Sequence, residues 1–394
     1  MKLKELCKIK HGFAFKGKDI IKDHATKYVL VTPGNFNIGG GFKNDKCKYF
    51  SESGEIPRDY ILKESDLIVT MTDLSVKSDT LGYSALVPKD DNNIYLHNQR
   101  IGLVHDIDES KVLKDYLYWF MRTKKYQQEV VASQSGTAIH HTSPDRILNI
   151  EIDLPSIDNQ KRIVKLLNSI DEKIKLNNEI NNNMSKLCNN IFHDYLDKYE
   201  DKIEYKKIVD IAEKVVTGKT PSTANKDFWD GTVPFITIPD MHNQIFTIKT
   251  ERNITQLGAK SIIPKNSISV SCIATVGLVS INTEESQTNQ QINSIVLNNG
   301  YDLYFLYEYL SEQEEFMKSI AGGSTTYNIN KNTFENIEVP YLPKELLVGF
   351  NTNVCGMFEK IKNNQYENEE LSQLRDTLLP KLMNGEIDLD NIEI

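Results

Sequence analysis

We expect an α+β protein made of two mixed α/β domains, separated and followed by long helices that form an antiparallel coiled coil. Three observations predict this architecture. The second half of the chain repeats the first, each half contains short β-branched runs between turn residues, and each half ends in a heptad pattern. Because a long internal repeat decides the architecture of a chain, the two halves should share one fold and be related by pseudo-two-fold symmetry.

Matching residues lie at a fixed distance over the later part of each half. Asp115 matches Asp302 (302 − 115 = 187), and Glu172–Lys175 matches Glu359–Lys362 at the same distance. The matches cluster and need no gap. We therefore interpret the chain as two copies of one unit.

Size and composition indicate a folded, multidomain protein. The 394 residues are too many for one ordinary core, and a hydrophobic content of 39% argues against disorder. The start, MKLKELCKIK, has no apolar stretch typical of a signal peptide, and no run approaches the roughly 20 apolar residues of a membrane span. Five widely spaced cysteines predict reduced thiols and a cytoplasmic location.

The net charge of −9 argues at first against a nucleic-acid partner. However, basic and acidic residues are nearly balanced in residues 1–155, and the net negative charge lies mainly in residues 201–394. Local basic stripes rather than total charge govern contact with DNA. We expect weak DNA binding by the chain alone and positive surface supplied by partners.

Each half begins with mixed strand and turn sequence. The strand candidates are Tyr28–Val31, Asp66–Thr70, Val233–Ile238 and Ser267–Ser271. An aromatic helix candidate follows in each half, Asp115–Gln128 and Asp302–Lys318, and we expect both to pack in the core. Polar loops at 133–142 and 321–330 come next.

Each half closes with a helix whose apolar residues recur at alternating spacings of three and four, the pattern of a coiled-coil seam. The predicted seam residues of the first helix are Ile163, Leu167, Ile170, Ile174, Asn177, Asn181 and Met184. Those of the second helix are Phe350, Val354, Met357, Ile361, Asn364, Asn368, Leu371 and Leu378. A helix from Asp158 to Leu196 would be about 58 Å long.

Two Asn residues occupy the same seam positions in both helices. Buried Asn pairs reduce stability but fix the register and orientation of a coiled coil. The alternative is that these residues face solvent where the helices diverge. We predict domain boundaries at 1–155, 156–200, 201–342 and 343–394.

Several motifs together resemble the specificity subunits of type I restriction–modification systems. The most specific is the closing string Leu371-Ser-Gln-Leu-Arg-Asp-Thr-Leu-Leu-Pro-Lys-Leu-Met-Asn-Gly-Glu-Ile387. Further matches are Leu154-Pro155 with Gln160–Ile163, Lys219–Ser222 with Val233–Ile236, and the pairs Asn98-Gln99 and Asn289-Gln290. The first half departs from the pattern, with Lys16-Gly17-Lys18 where Thr-Pro-Ser is usual.

The resemblance implies a non-catalytic subunit whose two target-recognition domains, 1–155 and 201–342, each read half of a gapped site in double-stranded DNA. The long helices would set the gap. Two methyltransferase subunits and restriction subunits would be the partners. They would use S-adenosylmethionine, ATP and Mg²⁺, while this chain would bind no cofactor or metal.

Base reading requires side chains with paired donors and acceptors, such as Asn or Gln for adenine and Arg or Lys for guanine. The candidates in the first domain are Asn98, Gln99, Arg100, Gln134, Thr137, His140 and His141. Those in the second domain are Lys219, Thr220, Ser222, Asn289, Gln290, Gln291, Thr325, Tyr327, Asn328 and Lys331. Lys219 and the neighbouring hydroxyls suit phosphate. Alternatively, the Asn-Gln pairs support the strand framework.

Three alternatives to this interpretation are open. Asp145 and Glu151 resemble part of a magnesium-dependent nuclease site, although Asp153 stands where a Lys is usual. The chain is also compatible with a specificity subunit of a related methyltransferase–nuclease system, or with a purely structural rod. Thr217–Thr220 resembles a P-loop but lacks its first Gly.

Overall fold

The computed structural model of the chain describes residues 1–21, 26–44, 47–73, 75, 79–134, 140–323 and 327–387. In these ranges, none of the helices is both long enough and apolar enough to cross a lipid bilayer. The helices, beside short 3-10 turns, are α1 (Lys114–Phe120), α2 (Lys124–Ala132), α3 (Pro144–Leu148), α4 (Ile157–Lys198), α5 (Ile208–Ile211), α6 (Ile238–Met241), α7 (Leu303–Ser311), α8 (Glu314–Ile320), α9 (Lys331–Glu335) and α10 (Lys344–Met383).

The described strands are distributed over both halves of the chain. Those of the first half are β1 (Lys8–His11), β2 (Ile20–Ile21), β3 (Tyr28–Val31), β4 (Lys48–Phe50), β5 (Leu67–Thr70), β6 (Thr72–Asp73), β7 (Ser84–Leu86), β8 (Ile94–His97), β9 (Ile101–His105) and β10 (His140–His141). Those of the second half are β11 (Glu204–Lys207), β12 (Ala212–Thr217), β13 (Trp229–Ile236), β14 (Phe246–Thr247), β15 (Arg252–Ile254), β16 (Ile262–Ile263), β17 (Ile268–Ser271), β18 (Val279–Asn282), β19 (Ser286–Thr288), β20 (Ile292–Leu297) and β21 (Glu338–Tyr341).

The chain forms two compact units. Unit 1 contains Met1–Ile170 and Leu374–Ile394, and unit 2 contains Asp171–Gln373. In unit 1, one sheet has the strand order β1-β9-β5-β7, a second has the order β2-β4-β3-β8, and β10 pairs with β6. In unit 2, the sheets have the orders β12-β20-β17-β18-β14 and β15-β13-β19-β16, and β11 pairs with β21. The sheet β1-β9-β5-β7 is antiparallel, and the other three larger sheets are mixed. Each unit therefore has two larger sheets, as the repeat predicts.

The aromatic helix candidates lie in the cores, but each is interrupted. The buried side chains include Tyr116 and Trp119 in unit 1 and Phe305 in unit 2. The prediction of one helix per segment was wrong, because each segment forms two helices. In unit 1 the break has a local cause: the Thr123 hydroxyl accepts a hydrogen bond from the N–H of Tyr126 and so caps the start of α2.

In unit 2, the facing parts of α4 and α10 run antiparallel. Asn177 donates a hydrogen bond to Asn368, Asn181 accepts one from Asn364, and the Cys188 thiol lies 3.9 Å from the Met357 sulfur. Each step forward along α4 is matched by an equal step backward along α10. This constant register is that of an antiparallel helix pair.

The Asn residues lie in the seam of this pair. Asn177 and Asn364 are 1% and 0% exposed, while Asn181 and Asn368 are half-buried. The repeat distance of 187 relates Asn177 to Asn364 and Asn181 to Asn368, so the two interhelical pairs are equivalent to each other. The helix pair in unit 2 thus has local pseudo-two-fold symmetry.

The remaining predicted seam residues lie along the same helix faces. Ile163, Leu167, Ile170, Phe350, Val354 and Ile361 are buried, and Ile174, Met184, Met357, Leu371 and Leu378 are partly buried. In unit 1, Ile163 and Leu167 share a core with Leu379 and Leu382 from the end of α10. The sequence pattern missed Phe358, which is fully buried beside the half-exposed Met357.

Candidate nucleic-acid interface

Three chain segments of unit 1 meet where the buried strand β5 ends. We call this arrangement cradle 1; it consists of residues 71–73, 98–100 and 140–142. The N–H of Met71 donates to the carbonyl of Arg100 at 2.9 Å, and the carbonyl of Met71 accepts from the N–H of Thr142 at 3.0 Å. Strand β10 pairs with β6 so that His141 lies opposite Thr72. The segment that follows β5 is thus held on both sides.

Unit 2 contains an equivalent arrangement, which we call cradle 2; it consists of residues 272–274, 289–291 and 327–329. The N–H of Cys272 donates to the carbonyl of Gln291 at 2.7 Å, and the carbonyl of Cys272 accepts from the N–H of Ile329 at 2.9 Å. Asn328 lies opposite Ile273, as His141 lies opposite Thr72. The two units therefore build the same hydrogen-bonded frame from different sequences.

A glycine closes the base of each cradle. A Cβ atom on Gly12 would lie 2.0 Å from the carbonyl oxygen of Asn98, and one on Gly218 would lie 2.2 Å from that of Asn289. Only glycine permits such close backbone contact. Because Gly12 is equivalent to Gly218, Lys16 is equivalent to Ser222. The segment Lys16-Gly17-Lys18 is therefore not the counterpart of Thr220-Pro221-Ser222.

Buried polar groups stabilise cradle 1. Burial alone would raise the pKa of Asp73, but hydrogen bonds from the N–H groups of Ser75 and Thr80 and from the Thr80 hydroxyl hold it below its usual value. Burial lowers the pKa of His97 to about 4. Its neutral ring therefore donates from Nε2 to the carbonyl of Ile101, 2.8 Å away. Both residues stabilise the frame in their ordinary charge states at neutral pH.

The Asn-Gln pairs divide into a structural and an exposed member. The side-chain oxygens of Asn98 and Asn289 each accept the N–H two residues later at 2.9 Å, and both residues are largely buried. These bonds favour the framework interpretation for the two Asn residues. Gln99 and Gln290 are exposed beside them. The Gln99 side chain and the NH₂ group of Gln290 are therefore available to a ligand, whereas the side-chain oxygens of the two Asn residues are not.

Other candidates of unit 2 lie near cradle 2. The hydroxyl of Thr220 hydrogen-bonds the side-chain oxygen of Gln290, which brings the loop after Gly218 to the Asn-Gln turn. Lys219 and Ser222 are exposed in the same loop. Tyr327 is also exposed, and Lys331 begins α9 with an ion pair to Glu335 at 3.4 Å.

Four candidates remain, two of which lie outside the described residues. Thr137 and Thr325 lie outside the described residues. Gln134 is half-buried at the end of α2, and His140 is half-buried beside the exposed His141. The described candidates of each unit otherwise gather around its cradle.

Sequence reasoning missed the middle segment of each cradle, at Thr72 and at Ile273. A signal was present, because each segment follows directly on a fully buried strand, β5 or β17. Ala274 has a left-handed backbone (φ 65°), an unusual conformation for a residue other than glycine. Its N–H donates to the carbonyl of Tyr327 at 3.0 Å.

The nuclease alternative is not favoured by the geometry. Asp145 is exposed in the first turn of α3, and Glu151 is exposed where its backbone pairs with Lys2. No group of three or more His, Cys, Asp or Glu side chains within the described ranges has the arrangement of a metal site.

Comparisons with known proteins agree with this architecture. The family model described as type I restriction modification DNA specificity domain matches residues 1–186 and 200–346. The HindI specificity subunit of Haemophilus influenzae is 30% identical over 403 aligned positions, which cover 79% of this chain and 87% of that protein. The MjaIX specificity subunit of Methanocaldococcus jannaschii is 34% identical over 180 positions, 43% of this chain and 41% of that protein.

A solved structure supports the fold. The S subunit of a type I restriction–modification system from M. genitalium has a TM-score of 0.59 at 17% identity, covering 97% of this chain and 95% of that chain. The family model spans two repeated regions that contain the two cradles. From these matches, the chain belongs to the family of type I restriction–modification DNA specificity subunits.

Proposed function

We propose that this chain reads a two-part, gapped site in double-stranded DNA, with one half-site bound by each target-recognition domain. The observation that carries this proposal is the pair of cradles. Their backbone hydrogen bonds are equivalent, while the exposed side chains differ, with His141 in one and Asn328 in the other. One frame with two sets of polar side chains suits two different base sequences.

Exposed polar residues beside cradle 2 would position the DNA rather than read it. Lys219, Thr220 and Ser222 follow the glycine at the base of the cradle, and a cation next to hydroxyl groups suits a phosphate. The net charge of −9 limits the affinity of the isolated chain. Positive surface from partner subunits would supply the remaining attraction, so binding of the assembled complex should be stronger.

The long helices would set the gap between half-sites. Helix α4 has 42 residues and α10 has 40, and the Asn pairs fix the register of their facing parts in unit 2. A helix pair with one allowed register is a stiffer spacer than a flexible linker. Changing the length of a helix should therefore change the gap and leave the half-sites unchanged.

The chain itself would be non-catalytic and act in the cytoplasm. Two methyltransferase subunits would dock on it and methylate adenine with S-adenosylmethionine, and restriction subunits would add ATP- and Mg²⁺-dependent cleavage. The relatives named as specificity subunits of type I restriction enzymes support a role within such an assembly.

The test is methylation sequencing of the host genome with and without this gene. We expect one gapped, two-part motif with methylated adenine to disappear when the gene is deleted and to return when it is restored. Unchanged methylation in a host whose partner genes are expressed would contradict the proposal.

A further inference from the structure

We propose that the equivalent residues His141 and Asn328 are base-reading positions, and that they select different bases. In cradle 1, His141 would read a guanine; in cradle 2, Asn328 would read an adenine. This inference rests on the proposed function and deepens it, because it assigns the chemistry of one base position in each half-site. It also gives a new role to Thr72, which orients His141.

The equivalence of the two positions follows from the backbone. His141 precedes Thr142, whose N–H donates to the carbonyl of Met71, and Asn328 precedes Ile329, whose N–H donates to the carbonyl of Cys272. Both residues are exposed, and both lie opposite the middle segment of the cradle. Since neighbouring strand residues point to opposite faces, the two side chains leave their cradles in the same direction.

Cradle 1 presents hydrogen-bond donors. The Thr72 hydroxyl lies 3.1 Å from Nδ1 of His141, and Thr72 is only 4% exposed. Among the described residues, this ring nitrogen is the one partner of the hydroxyl, so its buried proton is satisfied only if the hydroxyl donates. Nδ1 is then the acceptor, and the neutral ring carries its proton on Nε2, directed away from Thr72.

The donor that cradle 1 presents beside Thr72 is the Nε2–H of His141. Arg100 is not part of this reading position, because its backbone pairs with Met71, and the side chains of Met71 and Thr72 point to opposite faces. Guanine is the base that presents two acceptors, O6 and N7, in the major groove. Cradle 1 therefore suits guanine.

Cradle 2 presents amides instead. The side chain of Asn328 is exposed and makes no hydrogen bond within the described ranges, so its oxygen and its NH₂ group are both available. Gln291, the equivalent of Arg100, is oriented by a 3.1 Å hydrogen bond from the Asn289 amide. A free amide pairs with the acceptor N7 and the donor N6 of adenine, a combination that guanine lacks. Cradle 2 therefore suits adenine.

The experiment compares methylation motifs of the complete complex carrying single variants. The variants are Asn328→Ala, His141→Ala, Thr72→Val and Thr72→Ser, with exposed Gln128→Ala as the matched control. Each chain is co-expressed with its methyltransferase partner, and the methylated motif is read by genome sequencing. All substituted positions except Thr72 are at least partly exposed, so folding should survive.

We expect Asn328→Ala to relax one adenine position in one half-site, with a loss of preference of about 5- to 150-fold. His141→Ala should relax one guanine position in the other half-site. Thr72→Val should relax that same guanine position, whereas Thr72→Ser, which keeps the hydroxyl, should preserve it. A general loss of packing would not distinguish these two Thr72 variants at a single base.

Two results would overturn the inference. One is an unchanged motif in all the variants. The other is relaxation at bases other than adenine for cradle 2 and guanine for cradle 1. Either result would leave the proposed function intact if the wild-type chain still directs methylation to a gapped motif. Failure of the wild type to direct any motif would instead remove the proposed function, and the inference with it.

Discussion

The buried Asn network between α4 and α10 gives a prediction that can be worked out from the contacts. Asn177 is 1% exposed and donates hydrogen bonds at 2.9 Å to both the Glu367 carboxylate and the Asn368 side chain. Asn177→Ala removes both bonds. A bond to a charged acceptor contributes about 1.5–3 kcal/mol and a neutral one about 1 kcal/mol, but Glu367 keeps an ion pair with Lys173 at 3.3 Å. We expect a net loss of about 1–3 kcal/mol.

Asn183→Ala is the matched control on the same helix. Asn183 is exposed and makes no hydrogen bond within the described residues. Both substitutions gain the same helix propensity, up to about 0.7 kcal/mol, so their difference isolates the buried network. Asn364→Ala should fall between them, because Asn364 donates one hydrogen bond, to the neutral side chain of Asn181.

Thermal unfolding followed by circular dichroism measures the effect. For a unit of this size, 1 kcal/mol corresponds to roughly 2–4 °C in Tm, so Asn177→Ala should melt roughly 2–12 °C below Asn183→Ala. Equal melting temperatures for the two variants would refute the claim that the buried Asn residues stabilise one register.

Three further predictions concern pH, packing and spacing. Burial raises the pKa of the Glu308 carboxyl from 4.5 to about 7. The stabilisation from the neutral carboxyl is therefore fully present below pH 4.5 and is lost as the pH rises through 7. In the wild type, the free energy of unfolding should decline by up to about 3 kcal/mol between pH 5 and 8, measured by urea titration, and Glu308→Gln should abolish this decline. Gly218→Ala should lower stability by about 1–3 kcal/mol through overpacking, whereas Gly17→Ala, whose Cβ meets no atom within 4 Å, should melt like wild type. Inserting four residues between Lys175 and Asn183 should alter the gap in the methylated motif, and altered half-sites would contradict the spacer role.

The features that the sequence predicted are those with a regular period. The heptad spacing predicts both long helices, and the repeat distance of 187 places Asn177 and Asn364 at equivalent seam positions, where both are buried. The same distance separates Thr142 from Ile329, whose N–H groups make the equivalent hydrogen bonds of the two cradles. Such signals are visible because helix faces and internal repeats recur at fixed spacings.

The cradles required the structure. Met71 meets Arg100 and Thr142 through pairings between segments distant in sequence, and no local pattern encodes those partners. The residue type of Asn98 suits adenine, and only the structure shows that its side-chain oxygen is held by the N–H of Arg100. The break before α2 was missed because Thr123 interrupts an otherwise helical aromatic stretch.

Exchange of residues 1–155 for the corresponding domain of another specificity subunit, followed by methylation sequencing of the reconstituted complex, tests the central claim most directly. If each domain reads one half-site, one half of the methylated motif will change, while the other half and the gap will stay the same. A change in both halves, or in neither, would contradict the account.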